Sequence, residues 1–396
     1  MDRRGFGKVL LGCAAGAGMV SATDIGAAAQ AATRRPGRIF PDLPVRRNDK
    51  IRVGGDYHSV AGAEPTDQRS LQYFARYNVK HLTVMAAQGA GEEKTERRFG
   101  GFLDPVGSWS LPNLRKMQDD CHAAGLVLEG VRMDSAYIIM KPGPERDRYL
   151  DVIRENIRKA GQAGVSLISY HWTMIPIRRN HKVLGRGGSV YDAFTLEPDY
   201  RNLPPTEAAG RVSLEDYWSR IDYFLKGVVP VARENKVKLA VHPYDPGGLP
   251  LGYQGVDNWD AVDYVAALKK YEMLYDDPYN GFTYDCGVAG ESLPDPNSQL
   301  PLLRYLSERG KIAQVHFRNI RGHQNDFVEV FHDEGDVNML NCLRVLRDTN
   351  WEGTLLPDHI PAHPDDPKKL QGFAFAYGYI AGLLRAAKEE AIWAAG

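Results

Sequence analysis

Four short stretches in the second half of the chain end in side chains that bind metals or move protons. They are Ala240-Val241-His242-Pro243-Tyr244-Asp245-Pro246, Thr283-Tyr284-Asp285-Cys286-Gly287, Val315-His316-Phe317-Arg318-Asn319 and Leu356-Pro357-Asp358-His359. Each follows a short β-prone run, so each reads as a strand whose last residues carry the chemistry. A lone histidine at a strand end is more often a hydrogen-bonded structural residue than a ligand. Four such ends at one level say more, because neighbouring strands lie about 4.8 Å apart and their side chains can converge on one ion. The imidazoles of His242 and His316 with the carboxylates of Asp285 and Asp358 suit Mn²⁺, Mg²⁺ or Co²⁺, held octahedrally with positions left for water. Cys286 in place of Asp285 would favour softer metals. Successive strand residues face opposite sides, so only one of that pair can face the ion.

Elements able to position these residues run through the whole chain. Strands are expected at Ile51–Gly55, Val79–Met85, Leu126–Arg132, Val165–Trp172, Lys238–Pro243, Phe282–Gly287, Ile312–Asn319 and Thr354–His359. Several are nearly continuous apolar runs, as in parallel strands covered on both faces. Helical stretches alternate with them: Leu111–Ala124, Arg146–Ala163, Leu214–Asn235, Ala261–Tyr275, Gln299–Arg309, Val337–Asp348 and Lys369–Lys388. This β-then-α alternation predicts an α/β protein with a single (β/α)₈ TIM barrel over 49–396, whose chemistry gathers at the C-terminal ends of the strands. No G-x-G-x-x-G follows the first strand, which argues against a doubly wound dinucleotide-binding sheet. The insert Ile177–Thr206, rich in Gly, Arg, Asn and Pro, is expected over the barrel mouth as a lid or substrate loop.

The chain has 396 residues, a net charge of −1 and 25% charged residues, a balance that points away from nucleic acid as a partner. No run reaches the roughly 18 consecutive apolar residues of a membrane span. Homo-oligomerisation is compatible with the sequence and not specified by it. The N-terminus reads as a leader: Arg3 and Arg4, a mildly apolar Gly/Ala-rich run from Val9 to Val20, then small residues at Ala27, Ala29 and Ala31. It resembles a twin-arginine export signal over 1–31, followed by a Pro/Arg-rich linker over 32–48, and implies a periplasmic destination. Such export moves folded proteins, which suits an enzyme that loads its metal inside the cell. Of the cysteines, Cys13 falls in the leader. The remaining Cys121, Cys286 and Cys342 show no C-x-x-C spacing, so no disulfide framework is expected.

Taken together, the motifs resemble those of mannonate dehydratases, within the xylose-isomerase-like barrel superfamily. AVHPYDPGGLPLG is similar to their A-V-H-P-D-D-P…L-G segment, GFTYDCG to G-F-T-x-C-T-G, and VHFRNIRG to the H-L-R segment. FHDEGDVNM is similar to F-H-E…H-x-x-G-D-V-D-M and LLPDHIP to R-P-D-H-G-H. The likeness extends from Tyr170–Arg178 to Gly378–Leu383. It implies one divalent metal, usually Mn²⁺, on His, Cys, His and Asp. His242, His316 and Asp358 match that set. Aligned without gaps, the cysteine falls on Asp285, with Cys286 one step on as the alternative. Leu356 and Pro361 replace a family Arg and His, and Ala374 replaces a Tyr, with Tyr377 and Tyr379 close by.

The resemblance implies loss of water from an aldonic acid such as D-mannonate to give a 2-keto-3-deoxy acid. His359, beside Asp358, is then the acid/base residue, with Tyr377 another proton-carrying group. Tyr170, His171, Arg178, Arg318 and Asn319 are the expected substrate contacts, Arg offering a bidentate fork for a carboxylate. Asp245 and Asp336 read as turn or helix caps. An exported sugar isomerase or epimerase of the same superfamily is the second reading, favoured by Asp285 and by the replacements at Leu356 and Pro361. A non-catalytic sugar-binding protein is the third.

Overall fold

The computed structural model of the chain describes residues 50–60, 66–86, 107–133 and 136–394. The leader and the linker read from the sequence lie outside them. In chain order the elements are β1 (Ile51–Asp56), α1 (Gln68–Arg76), β2 (His81–Met85), α2 (Leu111–Ala123), β3 (Val127–Arg132), α3 (Pro144–Gln162) and β4 (Leu167–His171). Next come β5 (His181–Leu184), β6 (Val190–Thr195), α4 (Leu214–Glu234), β7 (Lys238–His242), α5 (Tyr264–Leu274), β8 (Asn280–Asp285), α6 (Cys286–Glu291) and α7 (Leu300–Glu308). The last are β9 (Ile312–His316), β10 (Asn319–His323), β11 (Asp326–Val330), α8 (Met339–Asp348), β12 (Gly353–Leu356) and α9 (Leu370–Ala394).

The eight strands expected from the sequence close into a parallel barrel in the order β1-β12-β9-β8-β7-β4-β3-β2. Apolar residues on their outer faces pack beneath the helices, and β8 is buried along its whole length. Side chains with a hydroxyl or carboxylate start the helices where the chain leaves extended geometry. Ser110, Ser213, Asp263 and Asn338 each accept the backbone N–H three residues on, an interaction worth about 1 kcal/mol per cap. Gly125 and Gly164, with φ of 72° and 78°, turn the chain out of α2 and α3. Among the described residues no helix is long and apolar enough to cross a membrane.

Strand parity sets the level of the site. Inside the barrel Thr83 donates to Gln314 (2.9 Å), the Gln314 amide donates to Thr283 (3.0 Å), and the Ser169 and Thr283 hydroxyls share a bond of 3.0 Å. Two residues further along their strands, and therefore on the same inner face, come His171, Asp285 and His316. The register pairs His171 with His242 and Asp285 with His316.

The insert expected as a lid or substrate loop carries regular structure. Its strands β5 and β6 join β10 and β11 in a four-stranded antiparallel sheet of order β10-β11-β6-β5. Its β-branched and aromatic residues, Val190, Tyr191, Phe194 and Thr195, suit a strand more than a loop.

Candidate active site

His242, Asp285, His316 and Asp358 converge at the mouth of the barrel. Each is buried and offers a ligand atom within 4.8 Å of the others. His242 Nε2 lies 3.1 Å from His316 Nδ1 and 3.2 Å from Asp285 Oδ2, and His316 Nδ1 lies 3.1 Å from Asp358 Oδ1. The Pro243 carbonyl accepts His242 Nδ1–H at 2.7 Å, which turns the Nε2 lone pair to the centre. Asp285 caps α6 through Oδ1, 2.8 Å from the Val288 N–H, and leaves Oδ2 facing the imidazoles. Asp358 has a left-handed backbone (φ 60°) that aspartate tolerates better than most residues. Its N–H is held by Asp56 Oδ2 at 3.2 Å.

Electrostatics favour a cation here. Asp245, Asp285, Glu329 and Asp358, together with Glu291, whose carboxyl burial pushes up to about 8, face the guanidiniums of Arg179 and Arg318 in one buried cluster, and the carboxylates draw positive charge toward them. Burial opposes charge on His316, but Asp358 and Asp285 outweigh it and push its imidazole up to about 10. Burial likewise opposes charge on Asp285, and Arg318 with the two imidazoles holds it well below the usual carboxylate range. Two imidazoles, two carboxylates and a pull toward positive charge fit a divalent cation with oxygen and nitrogen donors.

Arg318 is fully enclosed. Nε lies 3.1 Å from both Asp285 and Asp358, Nη1 2.6 Å from Glu291 and Nη2 3.3 Å from Asp245. It braces the carboxylates of Asp285 and Asp358, and all three of its nitrogens are paired with carboxylates. Removing one partner from such a buried charge set typically costs about 3–5 kcal/mol. Asp245 is not a turn cap either: it binds Arg179 at 2.6 Å as well as Arg318. Asp336 does hold a turn, accepting the Gly322 N–H at 2.8 Å.

Two imidazoles flank Asp358 with partial exposure. His359 is 26% exposed; its Nδ1 sits 2.8 Å from Glu329 Oε1 and its Nε2 3.7 Å from Asp358 Oδ2. Burial disfavours its charge, yet Asp358 and Glu329 push it up to about 9. His58, 25% exposed, places Nδ1 3.3 Å from Asp358 Oδ1 and 3.5 Å from Asp56 Oδ2. The two rings meet edge-on with centroids 5.0 Å apart. His171 stacks on His242 at 4.2 Å and is kept neutral by burial, with Arg132 and the neighbouring imidazoles adding to it.

Other residues singled out in the sequence stand elsewhere. Cys286 begins α6 on the outer side of the strand, its thiol against Cys342; that contact and burial keep it protonated. Cys121, Cys286 and Cys342 are all buried and unbridged. Tyr170 points outward into the helix layer, where its hydroxyl meets that of Tyr271 at 2.7 Å. Arg178 is paired with Glu197 (3.1 Å) and Tyr253 (3.3 Å), while its neighbour Arg179 enters the charge cluster. The Asn319 amide is spent on backbone groups of His332, Val337 and Ile320. The Tyr377 hydroxyl donates to Ser59 at 2.6 Å, and Ser59 in turn to Asp56, so it reaches the centre only through Asp56.

The family model of D-mannonate dehydratase (UxuA) matches residues 204–395, the stretch that carries all four converging ligands. Mannonate dehydratase of Streptococcus pneumoniae is 28% identical over 319 residues, spanning 71% of this chain and 84% of its own. That of Thermotoga petrophila is 29% identical over 336 residues, spanning 72% and 88%. The crystal structure of mannonate dehydratase from Streptococcus suis serotype 2 shares the fold, with a TM-score of 0.68 at 23% identity over 86% of this chain and 96% of that one. In sequence and in fold, then, the chain is similar to the D-mannonate dehydratases.

Proposed function

We propose that this protein is an exported, Mn²⁺-dependent dehydratase that removes water from an aldonic acid such as D-mannonate and releases a 2-keto-3-deoxy acid. The observation that carries the reading is the buried convergence of His242, Asp285, His316 and Asp358, with the His359 ring at its open edge, Nδ1 2.8 Å from Glu329 and Nε2 3.7 Å from Asp358. His242, Asp285, His316 and Asp358 would hold the cation, which when bound supplies Lewis-acid polarisation to a carboxylate and its neighbouring hydroxyl. His359 delivers its Nε2 proton to the departing 3-hydroxyl. His58 has Nδ1 turned to Asp56 and Asp358, which leaves Nε2 to take the proton from C2. Arg318 and Arg179 keep the carboxylates in place, and the buried walls of the mouth limit water around the reacting carbons.

Incubating the purified protein with aldonic acids and Mn²⁺ should yield a 2-keto-3-deoxy acid, detected as a product lighter by one water. A chelator should abolish the reaction and added Mn²⁺ restore it. The Asp285 carboxylate and the replacements at Leu356 and Pro361 support a second reading, sugar isomerisation or epimerisation. Free sugars converted without mass change, with aldonic acids untouched, would establish it in place of dehydration.

Export rests on Arg3-Arg4 and the small-residue run ending near Ala31. Replacing both arginines with lysine should leave uncleaved precursor in the cytoplasm in a fractionation experiment. Normal export of that double variant would remove the twin-arginine reading.

A further inference from the structure

We propose that Glu329 is a positioning residue for His359, and that the antiparallel sheet formed around the insert thereby belongs to the catalytic apparatus. The inference rests on His359 being the proton donor of the proposed reaction. Glu329 lies on β11, in the antiparallel sheet between β9 and β12 of the barrel, and is nearly buried. Its Oε1 accepts from three donors: His359 Nδ1 at 2.8 Å, Arg179 Nη2 at 2.7 Å and Arg179 Nε at 3.0 Å. Arg179, just ahead of β5, lies over the Phe327 ring at 4.8 Å and binds Asp245 at 2.6 Å. The carboxylate is thus clamped between the sheet and the loop after β7.

The consequence for His359 is geometric. A ring whose Nδ1–H is committed to a carboxylate has one tautomer and one ring orientation, and its Nε2 is the atom that faces the reaction. In this structure that places Nε2 toward Asp358 and the mouth, with Nδ1 toward the sheet. Without the acceptor the ring can turn over, putting carbon where the donor nitrogen should be. Arg179 fixes the carboxylate as the carboxylate fixes the ring, which accounts for a guanidinium entering the mouth without meeting the ion ligands themselves.

The test compares full-length wild type with Glu329→Met, which removes the acceptor at similar volume, and Glu329→Gln, which keeps an oxygen there. In ¹⁵N-histidine-labelled, Mg²⁺-loaded wild type, His359 (assigned by its loss in His359→Gln) should show a protonated Nδ1. In Glu329→Met the ring should lose that fixed assignment. Its kcat on the aldonic acid should fall by about 10–100-fold, the range seen when an orienting partner is lost. KM should stay within about threefold and metal content should not change, because neither ion ligands nor substrate grip is removed. Glu329→Gln should lie between wild type and Glu329→Met. An unprotonated Nδ1 in wild type overturns the proposal even if Glu329→Met fails to fold. A folded Glu329→Met with the wild-type ¹⁵N pattern and wild-type kcat overturns it too. If the wild type dehydrates nothing, the functional reading fails, while the ¹⁵N comparison still decides what Glu329 does to His359.

Discussion

Asp285→Asn should lose its divalent metal while Cys286→Ser keeps a full complement. The two residues are adjacent, and parity sends them to opposite faces: Asp285 inward with Thr283, Cys286 outward to Cys342. Asparagine is a helix cap as good as aspartate, so the Val288 N–H keeps its acceptor and α6 its start. What the variant loses is the charge between His242 and His316 and one oxygen of the ion's donor set. Losing an outer partner of a metal site costs roughly 10–100-fold in affinity; losing a ligand should cost more, and turnover should fall with it. Metal content by elemental analysis and a Mn²⁺ titration on the same preparations measure both. Metal loss in Cys286→Ser with retention in Asp285→Asn would move the ligand to the thiol.

That choice shows how far the sequence reaches. Strand ends were legible because each apolar run stops at a residue that has no place in a core; the alternation of the run then aims His242, Asp285 and His316 inward, while Asp358 is turned in just past β12 by its left-handed backbone. The same signal was present at Asp56, the last residue of β1, and at His58 just past it, and would have found both. Arg179 was another matter: 178 and 179 lie outside any strand, so no periodicity says which one turns into the mouth. Glu329 sits in Phe327-Val328-Glu329-Val330, on the same face as Phe327, so no apolar/polar alternation marks it. Its partners come from the insert 150 residues away and from the loop after β12, and only the register of β6 on β11 brings them together. The carboxylate partners of Arg318 were not legible, because an arginine in this position looks the same in sequence whether it grips a substrate or neutralises buried carboxylates. The five carboxylates that converge around it come from separate elements, and only the closed barrel and its sheet count them.

His359→Gln should keep its metal and its fold yet lose at least about a hundredfold in kcat, the lower end of what a proton-transfer group contributes. Glutamine retains a polar group of similar reach near Glu329 and removes no ligand from the four-residue cluster, so the effect should fall on proton transfer. The wild-type pH profile carries an independent mark of the same role. Burial disfavours the charged ring, but Asp358 and Glu329 hold it protonated up to about 9, so a required acid is present below that point and lost above it. The falling limb of kcat should therefore lie at or below about 9, since a cation on Asp358 withdraws part of that carboxylate's pull. His359→Gln should lack that limb along with the rate. If metal affinity and turnover fell together by about 10–100-fold, His359 would instead be orienting Asp358 as a ligand. If both stayed intact, the proton would have to come from the other flank of Asp358, where His58 is the imidazole within 3.3 Å of the carboxylate.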